Sequence, residues 1–218
     1  MENVLILDTT LRDGEQPPEV EMKPAQKVEI ARQLARMKVD VIEAGFPASN
    51  PDDFNAVSMI AREVRGPVIC AFARATAADI DAAAQAIESA PRARIHTFVP
   101  TSERHMRADG MDPEVVVERA AQAVAYARRF TDDVEFTPED ASRSDLDFVC
   151  RVIETAIRAG ARTVNIADTV VIMMPWQFGA FIRSIRERVE GADRVIWSAH
   201  CHDDLGMAVA NSVAAVEA

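Results

Sequence analysis

The sequence predicts an α/β fold of the (β/α)8-barrel type, carried through about seven β/α units, and three observations support that reading. Short β-branched apolar runs alternate with longer stretches of helical period along the 218 residues. The runs are continuously apolar rather than alternating, as in parallel strands buried on both faces. Chemically capable residues recur at their carboxyl ends: Arg12 and Asp13 after the first, Glu43 on the second, Arg74 after the third, His96 on the fourth, Glu139 after the fifth, Thr169 after the sixth, and His200 and His202 at the seventh. A barrel gathers such ends around one mouth, whereas an open doubly wound sheet concentrates them at one switch point.

In order, the expected strands are Val4 to Leu7, Val39 to Phe46, Pro67 to Phe72, Arg94 to Val99, Asp133 to Thr137, Thr163 to Ala167 and Val195 to Ala199. Between them apolar residues fall three and four apart. Val28, Ala31, Leu34 and Ala35 mark a first helix opening at Pro24, a residue favoured in a first turn. Pro51 to Val64, Ala77 to Ala90, Pro113 to Phe130, Ser144 to Ala159, Pro175 to Val189 and Leu205 to Ala218 read likewise, and Gly160 punctuates the end of one of them. A closed barrel of this type needs eight strands. With seven in view, the expectation is a single domain over 1–218 with an incomplete barrel.

Composition narrows the function classes. A formal net charge of -11 argues against a nucleic-acid footprint, which needs clustered Lys and Arg. Three widely spaced cysteines, Cys70, Cys150 and Cys201, make a disulfide framework improbable and a reducing cytoplasm the simpler compartment. No apolar run reaches the roughly eighteen residues a membrane helix requires.

The most informative segments are Thr10-Leu11-Arg12-Asp13-Gly14-Glu15-Gln16 and His200-Cys201-His202-Asp203-Asp204-Leu205-Gly206. In an extended segment His200 and His202 point to the same side, because strand side chains alternate with period two. Two imidazoles with the Asp13 carboxylate form a mixed nitrogen and oxygen set suited to Mg, Mn or Zn. Taken singly, each residue also has a plain structural reading. Asp13 reads as a turn cap, Glu139 and Thr169 as helix starts, His96 as a satisfied core histidine, Glu43 as a buried acid paired with Arg12 or Arg74, and Asp203 or Asp204 as partners of a histidine ring.

Six motifs in order resemble the 2-isopropylmalate synthase and homocitrate synthase group of TIM-barrel metal enzymes. They are Leu7 to Gln16, Val41 to Pro47, Arg94 to Phe98, Glu135 to Ala141, Ala167 to Val170 and His200 to Gly206. The resemblance implies a Claisen-type condensation of acetyl-CoA with a 2-oxo acid, followed by thioester hydrolysis. It implies Asp13, His200 and His202 as ligands of a divalent metal, with Arg12 stabilising negative charge on the ketone or enolate oxygen. Thr169 would hydrogen-bond the substrate carboxylate, and Glu139, Thr137 and His96 would shape the oxo-acid pocket. Gln16 would lie close to the metal and orient its water.

Two local departures from the family pattern stand out. Pro18 is followed by Glu19 rather than glycine, and Asp168-Thr169 is followed by Val170-Val171-Ile172, with Val171 at a family glycine. Any positive-φ conformation that the first glycine supplied would be strained at Glu19, and Val171 puts a β-branched side chain where the second glycine lets substrate or chain approach closely, so that it would block part of the pocket. The family's eighth strand and C-terminal subdomains, including a catalytic histidine, would lie beyond Ala218. Uncovered strand edges favour self-association, a homo-oligomer with a dimer as its simplest form. Homocitrate or citramalate synthesis, a hydroxymethylglutaryl-CoA lyase type of reaction, and a noncatalytic or engineered metal-binding barrel remain open alternatives.

Overall fold

The computed structural model describes residues 3–17 and 20–218; Glu19 lies outside them. Among the described residues the sheet has seven strands, which lie side by side in chain order. Consecutive order without a reversal leaves no topological switch point, so the winding is that of a barrel wall rather than a doubly wound sheet.

The chain forms two compact units, residues 1–97 with 126–133 and residues 98–125 with 134–218. The first holds β1 (Leu7–Asp8), α1 (Pro24–Arg36), β2 (Val41–Gly45), α2 (Pro51–Glu63), β3 (Val68–Arg74), α3 (Ala77–Ile87) and the start of β4 (Ala93–Pro100). β1 pairs parallel to β2 with Leu7 opposite Val41, and β2 pairs parallel to β3 with Val41 opposite Val68. The expected first strand is shortened at its beginning. The register places residues 4–6 level with 38–40, where the chain leaves α1 through Lys38 at φ 64, so β2 has not yet begun. Val4, Leu5 and Ile6 consequently remain exposed.

The second unit holds the end of β4, α4 (Glu103–Ala108), most of α5 (Pro113–Ala127), β5 (Val134–Glu139), α6 (Leu146–Ala159), β6 (Thr163–Asp168), α7 (Pro175–Arg188), β7 (Ile196–Cys201) and α8 (Ala208–Val216). Its core forms where α6 lays Val149, Ile153 and Ile157 on Val164 and Ile166 of β6 and on Phe178, Ile182 and Ile185 of α7. Burying each such side chain stabilises the fold by about 1.5–3 kcal/mol. Asp145 caps α6 by accepting the Phe148 N–H at 2.9 Å, and Gly160 ends it at φ 109. α4 lies in the polar stretch 101–110. Its Ser102 cap, bonded to the His105 N–H at 3.4 Å, is the signal that periodicity over six residues is too short to reveal.

One buried cation organises the mouth of the first unit. The Lys27 ammonium on α1 pairs with both Glu15 and Asp53 and reaches the Leu11 carbonyl at 3.4 Å. Each carboxylate spends its other oxygen on a loop: Glu15 accepts from Met22 N–H at 3.0 Å, and Asp53 accepts from Phe46 N–H at 2.7 Å and Ser49 Oγ at 3.1 Å. Gly45 makes the approach possible, because a Cβ there would stand 2.9 Å from Asp53 Oδ1. The turn after β1 and the loop after β2 are thus tied to one ammonium. Lys27→Met should lower unfolding free energy by about 3 kcal/mol, because it strands two acids that were desolvated for a partner. Urea unfolding followed by circular dichroism would show this; a variant as stable as the parent contradicts the clamp.

Candidate active site

The site residues of the first unit converge on Glu43. The inner face of β2 aims its side chain into the interior, where it is fully buried, and the register shift between Glu43 and Gly45 marks a bulge at this point. One carboxylate oxygen accepts from Arg12 Nε at 2.6 Å and the other lies 2.5 Å from His96 Nδ1. Burial pushes the Glu43 carboxyl up, but the Arg12 charge, followed by His96, outweighs it and holds the group at about 2. An ionised Glu43 only accepts hydrogen bonds, so His96 donates to it from Nδ1. Cys70 completes a buried trio with Glu43 and His96, their ligand-type atoms within 4.8 Å of one another. Within it the two Glu43 oxygens are taken by Arg12 and His96.

Arg12 follows β1 and is mostly buried. Its Nη1 donates to Asp13 Oδ1 at 2.9 Å, so the guanidinium bridges Glu43 and Asp13. Burial works against its charge, while Glu43 and then Asp13 over-compensate and keep it protonated. Asp13 opens the 3-10 turn Asp13–Glu15, and the N–H groups of Arg12, Asp13 and Gly14 all bond the Thr9 carbonyl at 2.9–3.1 Å. Gln16 is exposed and lines a cavity of about 660 Å³ together with Arg12, Glu15, Lys27, Phe46 and Asp53. Arg74, a sequence candidate for pairing with Glu43, instead bonds Asp79 at 2.7 Å.

In the second unit, His200 and His202 do point to one side of β7 and the residue after it, with their Nε2 atoms 3.1 Å apart. Two imidazole nitrogens at about 2.1 Å from one ion and about 90° apart would be about 3.0 Å from each other, so the pair fits adjacent positions on a divalent cation. Asp203 Oδ1 accepts from the Ala208 N–H at 2.9 Å and so ties the 202–207 turn to α8. Cys201, between the histidines, has its thiol pushed up to about 11 by burial, against a Ser212 hydrogen bond that lowers it.

Thr137 is buried on β5, its Oγ1 accepting from Asn165 Nδ2 at 2.9 Å. Glu139 ends β5 half-buried, its carbonyl taking Thr101 N–H at 3.1 Å and Thr101 Oγ1 at 2.8 Å. Next to it Asp140, not singled out from the sequence, is fully buried at φ 62 and held by Arg143 at 2.6–3.0 Å, with His105 Nδ1 at 3.4 Å. His105 Nδ1 thus faces the loop after β5 at a distance and angle that make no hydrogen bond. Thr169 is half-buried just past β6. Asp168 accepts from the Ile172 and Met173 N–H groups at 3.3 Å each, and Val171 sits at φ 52 with its side chain buried. A left-handed conformation costs a non-glycine residue about 1–2 kcal/mol, so the backbone at Val171 is strained.

Because Glu43 is held far below the ordinary carboxylate value of 4.5, its stabilising effect is complete above that pH and is lost as pH falls towards about 2. Glu43→Gln should cost about 3–5 kcal/mol at pH 7. The gap to the parent chain should narrow between pH 4.5 and 2, measured by urea unfolding at several pH values; a constant gap would show that the carboxylate's charge is not what stabilises the cluster.

Comparison with known proteins identifies the family. The HMGL-like family profile matches residues 3–218. The 2-isopropylmalate synthase of Carboxydothermus hydrogenoformans is 58% identical over 218 residues, which is all of this chain and 43% of that protein. That of Nitrosospira multiformis is 57% identical over 216 residues, 99% of this chain and 42% of that protein. The chain thus spans about two-fifths of the length of these relatives. Among solved structures, hydroxymethylglutaryl-CoA lyase from Pseudomonas aeruginosa superimposes with a TM-score of 0.80 at 21% identity, covering 98% of this chain and 72% of the lyase. The lyase from Brucella melitensis gives 0.81 at 22% identity, covering 100% and 78%. At these identities the structures speak to the barrel-type fold, and the profile over nearly every residue speaks to descent: the chain belongs to the HMGL-like family.

Proposed function

We propose that this chain carries the metal-binding and oxo-acid-binding part of a 2-isopropylmalate synthase type of reaction. In it the methyl carbon of acetyl-CoA gives up a proton and bonds to the ketone carbon of a 2-oxo acid, whose oxygen takes up a proton to become the alcohol, and water then cleaves the thioester to release the CoA thiol and a 2-alkylmalate. The observation that carries the reading is the His200 and His202 pair with Nε2 atoms 3.1 Å apart, in a chain 58% identical to a 2-isopropylmalate synthase. Asp13, His200 and His202 would hold a divalent cation, which when bound supplies Lewis acidity to the substrate's ketone.

The roles of the protein groups follow from their chemistry. Arg12 is permanently charged and planar, and its outer N–H edge suits an oxygen gaining negative charge as the carbon bond forms. Glu43 fixes that guanidinium and orients the His96 ring. Thr169 offers a hydroxyl to the substrate carboxylate, while Thr137, Glu139 and His96 shape the oxo-acid pocket. Gln16 orients water near Asp13. Acetyl-CoA and a branched 2-oxo acid are the partner molecules of this reading, and a homodimer is its expected assembly. Among the described residues no helix is long and apolar enough to cross a membrane.

Calorimetry with Mn²⁺, and then with 2-oxoisovalerate in its presence, tests the assignment. Manganese should bind with one-to-one stoichiometry, and Asp13→Ala or His202→Ala should weaken it by about 100-fold or more. Oxo-acid binding should disappear when the metal is chelated. Manganese affinity that survives Asp13→Ala, or oxo-acid binding indifferent to chelation, overturns the proposal.

A further inference from the structure

The Arg12 guanidinium is fixed in its own plane at two points, Nε on Glu43 and Nη1 on Asp13. Two in-plane hydrogen bonds leave the tilt of that plane to be set by whatever lies against its face. Phe72, on the inner row of β3 with Cys70, lies there: the Arg12 guanidinium carbon is 4.2 Å from the Phe72 ring centroid. The ring itself is held from two sides. Phe46 meets it at 5.6 Å with an interplanar angle of 86°, and His96 meets it at 4.9 Å and 81°. Both are edge-to-face contacts, the arrangement aromatic quadrupoles favour. Phe46 in turn carries Arg74 over its own ring at 5.4 Å. The order is therefore cation, ring, ring, cation, all within the first unit.

We propose that Phe72 is a positioning residue: its ring face sets the plane of the Arg12 guanidinium and so aims the outer N–H edge of that group at the oxo acid. This rests on the oxo-acid role given to Arg12 above. The alternative is that Phe72 merely fills volume. The two separate by chemistry, because a flat electron-rich face attracts a guanidinium whereas an aliphatic side chain of similar size does not. A Tyr at position 72 keeps the face; a Leu keeps apolar bulk alone. The mostly buried site makes the interaction stronger than it would be on the surface.

The test uses the full chain as Phe72→Leu and Phe72→Tyr. In ¹⁵N spectra the Arg12 Nε–H signal, identified by its loss in Arg12→Lys, should carry an upfield ring-current shift in the parent and in Phe72→Tyr. Phe72→Leu should lose that shift, and the proton should exchange about tenfold faster with water. In calorimetry, 2-oxoisovalerate affinity should fall about tenfold in Phe72→Leu and stay within about threefold in Phe72→Tyr, with Mn²⁺ affinity unchanged in both. A Phe72→Leu chain that behaves like the parent, or a Phe72→Tyr chain that loses as much as Phe72→Leu, overturns the proposal. Should the parent chain bind no oxo acid, the functional reading fails, and the Arg12 signal alone decides the positioning.

Discussion

A carboxylate with no access to water is the constraint from which the first unit's site is built. Glu43 is buried completely, and an unpaired charge in such a place costs several kcal/mol even after relaxation. It persists because Arg12 and His96 occupy its two oxygens. That compensation has consequences in sequence for both partners. Arg12 is drawn inward from the turn after β1 and brought beside Asp13; His96 is turned with Nδ1 towards the carboxylate. The Lys27 clamp repeats the logic at the rim, with one buried ammonium and two acids whose remaining oxygens hold backbone N–H groups. Buried charge here is used for orientation, and its contribution to net stability is secondary.

The parts of this arrangement legible in the sequence are those that depend on local spacing. The i, i+2 histidines on an apolar run foretold a shared direction, and the structure places their Nε2 atoms 3.1 Å apart. Alternating runs and helical periods foretold the order of strands and most helices, because burial on both sheet faces leaves continuous apolar stretches. The pairing of Glu43 with Arg12 was one of two sequence alternatives. Choosing between Arg12 and Arg74 required knowing that Asp79, five residues from Arg74, claims that guanidinium first.

What was not legible depends on tertiary neighbours. Lys27 reads as one polar residue on an amphipathic helix, and only packing shows that it is buried between Glu15 and Asp53. Phe72 reads as an ordinary apolar strand residue until Arg12 is seen over its face. Asp140 gives no local sign that it adopts φ 62 and is enclosed by Arg143 and His105. Val171 is the reverse case, since the family pattern flagged the position and the backbone there is left-handed with a β-branched residue in place. Strain of that kind concentrates at functional loops, where surrounding hydrogen bonds such as those from Ile172 and Met173 to Asp168 hold it.

The proposed function turns on Asp13, His200 and His202 serving one cation. Anomalous diffraction from crystals grown with Zn²⁺ tests this most directly. The account predicts a single strong peak at about 2.0–2.2 Å from both Nε2 atoms and from an Asp13 oxygen. A peak on the histidines with Asp13 outside coordination distance, or one at a different place in the fold, would contradict it.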